Sequence, residues 1–375
     1  MAQPYKGEVN LAYQDTEYFH QHQKTATMAD EVSFSHTYRD KNSIIPGKRP
    51  YGEAVAMKLA RKNLIHTDSP SIVEVGCGLG DFARTAIPVF LQRYPNMTYT
   101  MVDISPELQK AQILTTKQYG KRVKHVLGNA EELDSFLSGV DLLISNEVIG
   151  DLSAIIDIPK TKKEEESHPL RAENRYWWKI ARQYMSKYHL SMNPEAESWG
   201  INYGAFRMIE SLQKVLSEQG AAFLVEHSSK TWQRLRLPGH VEYAIVAPHL
   251  INVAEGNGFK VDDDGLDKLL GIGMHAYRVD CQAVNLSLIA GRLITQSEDK
   301  PEEEAQIERI ARDLLRSNPQ ANTYLNEALT GQEFLKIAKQ KGWAMFTEGN
   351  VPLENACLHA HSFKYFLLRK DLRHK

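Results

Sequence analysis

Cysteine is scarce in this chain: 375 residues include three, Cys77, Cys281 and Cys357, odd in number and far apart. They give no disulfide framework and no zinc spacing, and they suit a reducing compartment, so a cytoplasmic location is expected. Long apolar runs are missing too, none approaching the ~20 residues of a membrane span. The N-terminal MAQPYKGEVN lacks the basic and apolar regions of a signal peptide. No membrane association is expected. Nor is there an excess of one charge: 45 Lys and Arg against 47 Asp and Glu leave a formal net charge of -2, so no overall basic field argues for nucleic acid. No internal repeat or low-complexity tract is evident. What remains is a chain long enough to bury a substantial core, as one elaborated domain or as two.

The most informative stretch is SIVEVGCGLGDFA, Ser71 to Ala83. Ile72, Val73 and Val75 suit a buried parallel strand, whereas Gly76, Gly78 and Gly80 let the chain turn sharply and a ligand approach bare backbone, with Cys77 between them. The spacing G-x-G-x-G, followed by Asp81, departs from the dinucleotide fingerprint G-x-G-x-x-G, and a carboxylate at the mouth of a helix is a poor neighbour for phosphates. Glu74, two residues before the first glycine, suits a ligand with positive charge. S-adenosylmethionine, with sulfonium and ammonium groups, meets that requirement; a tight turn in an ordinary α/β sheet is the alternative.

The chain before and after fits a nucleotide-type sheet. Tyr51 to Leu64 has one apolar helical face, and Phe82 to Gln92 continues as a helix. Tyr99 to Val102 reads as a second strand ending in Asp103, whose carboxylate, ~20 residues after the glycines, can accept from both ribose hydroxyls, with Ile104 beside it. A strand-end cap is the other use of that aspartate. Ser105, Pro106 and Glu107 supply N-cap, first-turn proline and first-turn acid for the next helix. Val123 to Leu127 is a third strand. It leads to Asn129 and Ala130 at the expected adenine edge, although an asparagine there also serves turn geometry. The fourth strand, Val140 to Ser145, runs into Asn146, Glu147, Val148, Ile149, Gly150 and Asp151. Two carboxylates and an amide at a parallel strand end should face the reacting group, unless they merely cap a solvated loop.

IVEVGCGLGDFA, YTMVDISPELQKAQ (Tyr99 to Gln112) and ISNEVIGDL (Ile144 to Leu152) together resemble the MidA family of class I methyltransferases. INYGAFRMIESLQKVLSEQGAAFLVEHS (Ile201 to Ser228) and PGHVEYAIVAPHLINVAEGNGF (Pro238 to Phe259) are similar to later parts of that family, and LTGQEFLKIA (Leu329 to Ala338) faintly so. The resemblance implies a seven-stranded, mostly parallel α/β Rossmann-like sheet with helices on both faces, S-adenosylmethionine as cofactor and protein arginine as acceptor. On this reading cofactor contacts are expected from Glu74, Gly76, Cys77, Gly78, Gly80, Asp103, Ile104, Asn129, Ala130 and Asn146, with Asn146, Glu147 and Asp151 at the acceptor. Two departures fall at the acceptor end. Gly150 stands where the family typically has an acid, the aspartate coming one place later as Asp151. The acid-aromatic-glycine ending of the fifth strand is replaced by Glu226, His227 and Ser228. A small-molecule acceptor, or cofactor binding without turnover, are the alternative readings.

The remaining segments set the expected domain plan. Residues 1–50, aromatic and rich in His20, His22 and His36, read as an N-terminal cap; no carboxylate or cysteine accompanies the histidines at metal spacing, so no metal is expected. If the acceptor is not arginine, His227 or an N-terminal histidine is available as base. Residues 51–300 form the cofactor-binding core and 301–375 complete it. Residues 155–200 are an inserted lid, in which Lys160 to Ser167 is a solvated, flexible charge run. The aromatic and basic segment Arg175 to Leu190 is either a lid or partner helix, or a helix packed through Trp177, Ile180, Ala181 and Tyr184. Residues 302–317 read as a helix with Ile307, Ile310, Ala311, Leu314 and Leu315 on one face. Ser362 to Lys370 reads as a final edge strand, its charged end suiting an edge. Oligomeric state is not readable.

Overall fold

The computed structural model describes residues 12–15, 17–22, 33–41, 45–196, 198–237, 240–273, 278–280, 328–330, 357–358 and 362–370. The helix expected over 302–317 and the stretch 331–338 lie outside them. Seven strands build the central sheet: β1 (Ser71–Val75), β2 (Thr98–Asp103), β3 (Val123–Leu127), β4 (Val140–Asn146), β5 (Leu216–Ser229), β6 (Phe259–Gly265) and β7 (Phe363–Lys370), in the spatial order β6-β7-β5-β4-β1-β2-β3. From β5 to β3 every pairing is parallel, whereas β7 is antiparallel to both its neighbours. The short strand Ile245–Val246 runs parallel to the end of β5. Chain order reverses between β1 and β4, which opens a crevice at their carboxyl ends, the place where doubly wound sheets take ligands. This is the Rossmann-like, mostly parallel sheet expected of a class I methyltransferase.

Strand periodicity explains the two cores. Successive side chains point to opposite faces, so Ile72, Phe223, Tyr365 and Leu367 join one apolar layer, while Val73, Val75, Leu224, Phe366 and Leu368 join the other. The helices, in chain order, are α1 (Glu17–Gln21), α2 (Phe34–Thr37), α3 (Tyr51–Arg61), α4 (Asp81–Arg93), α5 (Pro106–Thr116), α6 (Lys162–Ser167), α7 (Arg171–Lys187), α8 (Tyr203–Val215), α9 (Ala247–Gly256) and α10 (Leu266–Leu270). α3 and α4 cover the first layer together with Phe34, Tyr38 and Tyr51; α7, α8 and α9 cover the second. Ser105 caps α5 as its sequence suggests, its Oγ accepting from Leu108 N at 3.3 Å.

Three segments differ from, or decide between, the expectations. Ser362 to Lys370 does not form an edge: β7 lies between β5 and β6, with Tyr365 to Leu368 buried. Its lysines find partners at the sheet margins: Lys364 pairs with Asp263 at 2.8 Å, and Lys370 Nζ donates to the carbonyls of Gln213 and Leu216 at 2.8 and 2.7 Å, while Arg369 stays exposed. The charge run at 160–167 contains α6, because Thr161 Oγ1 caps Glu164 N at 3.1 Å and Glu165 pairs with Arg182 of α7 at 2.7 Å. α7 packs on the second core through buried Trp178 and Ala181, with Trp177, Ile180 and Tyr184 against the same layer. Trp178 Nε1 donates to Ile156 O at 3.3 Å, which anchors the helix.

Candidate active site

The turn after β1 is held by its own backbone and by α5. Gly76 adopts φ +68, and its N–H donates to Val102 O at 2.8 Å; a Cβ there would lie 2.1 Å from Val148 Cγ2, so only glycine fits. Gly78 has φ +49, and its carbonyl accepts from Gln112 Nε2 at 2.9 Å. Gly80, at φ +82, is the N-cap of α4.

Asp103 ends β2 and is nearly fully buried. Its Oδ2 accepts from Cys77 N at 3.0 Å and Gln112 Nε2 at 2.8 Å, and its Oδ1 from Ser105 N at 2.9 Å. A carboxylate offers about four lone-pair sites; three are taken, and the remaining one is on Oδ1. Acceptance from both ribose hydroxyls, the sequence expectation, therefore requires a protein bond to open. Burial raises the pKa of Asp103, an effect opposed by the Ser105, Gln112 and Cys77 donors. Asn129 follows β3, where its Oδ1 accepts from Glu131 N at 2.9 Å as a cap and its Nδ2 donates to Glu17 at 3.3 Å. Its turn-forming role is thus present in the structure.

At the end of β4 the chain bends through Glu147, whose φ of +57 is uncommon for a side-chain-bearing residue. Glu147 Oε1 accepts from Phe34 N at 2.7 Å, and Asn146 Oδ1 accepts from Tyr51 OH at 2.6 Å. Asp151 Oδ1 lies 3.8 Å from His20 Nε2. Behind them, Glu226 accepts from Gly150 N at 3.0 Å and from His227 N at 2.8 Å. Burial, reinforced by the nearby charges of Glu242 and Asp151, pushes its carboxyl well above the ordinary range despite those donors.

These elements enclose a cleft of about 210 Å³. Eight of the expected residues line it: Gly76, Gly78, Asp103, Ile104, Asn129, Ala130, Glu147 and Asp151. Glu74, Cys77, Gly80 and Asn146 are not among its lining residues. Strand alternation turns Glu74 toward the first core, where Tyr99 OH donates to it at 2.8 Å and burial lifts its pKa to about 8. A carboxyl largely protonated at neutral pH does not supply the negative charge expected there. His227 is also outside the lining; its ring meets Phe363 edge-on, and burial lowers its pKa.

Several lining groups were not legible as site residues. Tyr13, Asp15, Glu17 and His20 come from the N-terminal segment, Glu131 and Glu132 from the turn after Asn129, and Arg207 from α8. Of these, only the N-terminal group was hinted at, by the aromatic, histidine-rich character of residues 1–50. Glu131 accepts from Ser153 N and Oγ at 2.8 and 3.0 Å and lies 3.6 Å from Arg207. Burial raises its pKa, with Ser153 opposing. Among the described residues the cleft thus carries seven carboxyl residues, Asp15, Glu17, Asp103, Glu131, Glu132, Glu147 and Asp151, against one arginine. Phosphates would be repelled from such a lining. A nucleoside bearing positive charge matches it, with bare glycine backbone on one side and the open Asp103 lone pair on the other.

Residues 66–241 match the family described as Methyltransferase domain. No curated protein matches the chain. Among solved structures, the chain is similar to phosphoethanolamine N-methyltransferase 2 of Haemonchus contortus in complex with S-adenosyl-L-methionine, at 13% identity and TM-score 0.44 over 94% of this chain and 59% of that one. It is similar to a putative sarcosine dimethylglycine methyltransferase from Galdieria sulphuraria at 11% identity and TM-score 0.38, over 85% of each chain. It is also similar to YcgJ of Bacillus subtilis at 12% identity and TM-score 0.37, over 84% of this chain and 98% of that one.

Proposed function

We propose, from the premise that residues 66–241 are an S-adenosylmethionine-dependent methyltransferase domain, that the acidic cleft delivers the methyl group to a cationic nitrogen. The MidA-like resemblance makes a protein arginine side chain the leading acceptor. The observation that carries the reading is the lining, among the described residues, of seven carboxyl residues against one arginine, five of the seven at or just after the carboxyl ends of β2, β3 and β4 and two from the N-terminal segment.

Bound there, S-adenosylmethionine supplies an electrophilic methyl group. The chain's own task is to hold, align and keep dry. The Gly76 to Gly78 backbone and Asp103 hold the cofactor, Ile104 and Ala130 give it apolar surface, and Asn129 borders the base. Glu147 and Asp151 orient the acceptor. A guanidinium stays protonated up to a pKa above ~12, so a carboxylate beside it has two uses: bidentate orientation, and acceptance of the proton that the reacting nitrogen must lose. Glu147 suits the first, its backbone bent into the cleft and its Oε1 fixed by Phe34 N.

A small-molecule acceptor is the second reading. Tyr13, Asp15, Glu17 and His20 line the cleft together with the core residues, and a partly covered cleft suits a free amine better than a protein side chain.

One experiment separates these readings. Calorimetric titration with S-adenosylmethionine should show micromolar binding to the wild type and a roughly 100-fold weakening in Asp103→Ala. S-adenosylhomocysteine release is then compared between arginine-containing peptides and small amines. Release with peptides, reduced at least ~100-fold by Glu147→Gln with cofactor affinity kept, supports the guanidinium assignment. Release with amines alone moves the assignment to a metabolite. A wild-type protein that does not bind the cofactor overturns both.

A further inference from the structure

Resting on that cofactor reading, we propose that Gln112 is a positioning residue for the ribose, holding the Asp103 carboxylate in the one orientation that leaves a lone pair open to the cleft. Gln112 lies on α5, fully enclosed by protein. Its Nε2 makes two donations, 2.8 Å to Asp103 Oδ2 and 2.9 Å to Gly78 O. Both amide hydrogens are thereby used, and the amide cannot be flipped, because Oε1 would then face two acceptors.

The consequence for Asp103 is geometric. With Gln112 and Cys77 N both on Oδ2, and Ser105 N on Oδ1, the carboxylate is fixed by three donors. Cys77 and Ser105 are backbone donors close to Asp103 in space. Gln112 is the one side chain among them, and it also ties the carboxylate to Gly78, whose own lack of a side chain leaves that turn dependent on outside contacts. Removing the Gln112 amide leaves Oδ2 held by the Cys77 N–H alone and releases the Gly78 carbonyl in the same step. The loss therefore falls on ligand binding at the ribose, beyond whatever it costs in packing.

The test is calorimetric titration with S-adenosylhomocysteine and with 5′-methylthioadenosine, which keeps the ribose but lacks the amino-acid tail. Gln112→Met should weaken both by about tenfold, the equivalent of one hydrogen bond to a charged group. Gln112→Glu, which keeps every heavy-atom position and serves where the methionine variant does not fold, should bind more weakly still, because it sets a carboxylate against Asp103 Oδ2 and Gly78 O. In an Asp103→Ala background, Gln112→Met should cost less than about twofold, since its effect passes through that carboxylate. A folded Gln112→Met protein that binds like wild type, Gln112→Glu equal to wild type, or losses that multiply in the double variant each overturn the assignment. Binding of neither ligand by the wild type overturns instead the cofactor reading beneath it.

Discussion

Glu74 stores a pH dependence in one side chain. Its ordinary pKa of 4.5 is raised to about 8 by burial, so between those values the folded protein keeps a proton that the unfolded chain releases. Stability is therefore fully present below about pH 4.5, falls as pH rises toward 8 and levels off above it; the shift corresponds to on the order of 5 kcal/mol. Glu74→Gln keeps an acceptor for Tyr99 and removes the titration. Thermal melts should coincide with wild type at pH 5 and lie several degrees higher at pH 8.5. Gly76→Ala makes the opposite case: with φ +68 and Val148 Cγ2 2.1 Å from the added carbon, it should cost more than ~1 kcal/mol in denaturant midpoint and abolish cofactor binding. The glycine turn was legible because its spacing is local. The direction of the Glu74 side chain was not, because it depends on which core each strand face meets.

Short elements in this fold are positioned by single polar contacts. α2 is pinned to the start of α4, where His36 Nδ1 lies 2.5 Å from Asp81 Oδ2, and to the cleft through Phe34 N and Glu147. Burial would raise the pKa of Asp81, but the His36 hydrogen bond and charge, helped by Arg84, hold it below the ordinary 3.8. That contribution is present above about pH 3.8 and is lost as the pH falls through the lowered value. His36→Asn should accelerate amide exchange in residues 33–41 at neutral pH while leaving β1 and β4 protected. The strands β1 to β4 were readable from β-branched runs bounded by turns. The position of β7 was not, because strand neighbours are chosen by the whole sheet: charge at its end suggested an edge, yet Asp263 and two carbonyls take up its lysines while the strand is paired on both sides. Phe366→Ala, emptying a fully enclosed site in the second core, should cost ~3–5 kcal/mol by chemical denaturation.

On the scale of the whole molecule, the reversal of chain order between β1 and β4 gathers residues from Tyr13 to Arg207 into one cleft. A sequence pattern finds the parts on the strand ends, since each follows its strand directly. It does not find Asp15, Glu17, His20 or Arg207, whose place is set by how the N-terminal segment and α8 pack. Among the described residues no helix is long and apolar enough to cross a membrane. Saturation with S-adenosylmethionine at ~100 times its dissociation constant should stabilise the folded protein by about 2.7 kcal/mol, seen as a higher melting temperature in wild type and a much smaller rise in Asp103→Ala at the same concentration.

The insertion of β7 between β5 and β6 also bears on how the protein is made. Until residues 363–370 have left the ribosome, β5 and β6 each present an unpaired backbone edge, and Phe223 and Leu224 lack the strand that covers them. Chains interrupted before that point should associate through those edges and call on chaperones, so synthesis through residue 370, rather than completion of the cofactor motifs about 200 residues earlier, sets the moment at which the sheet can close.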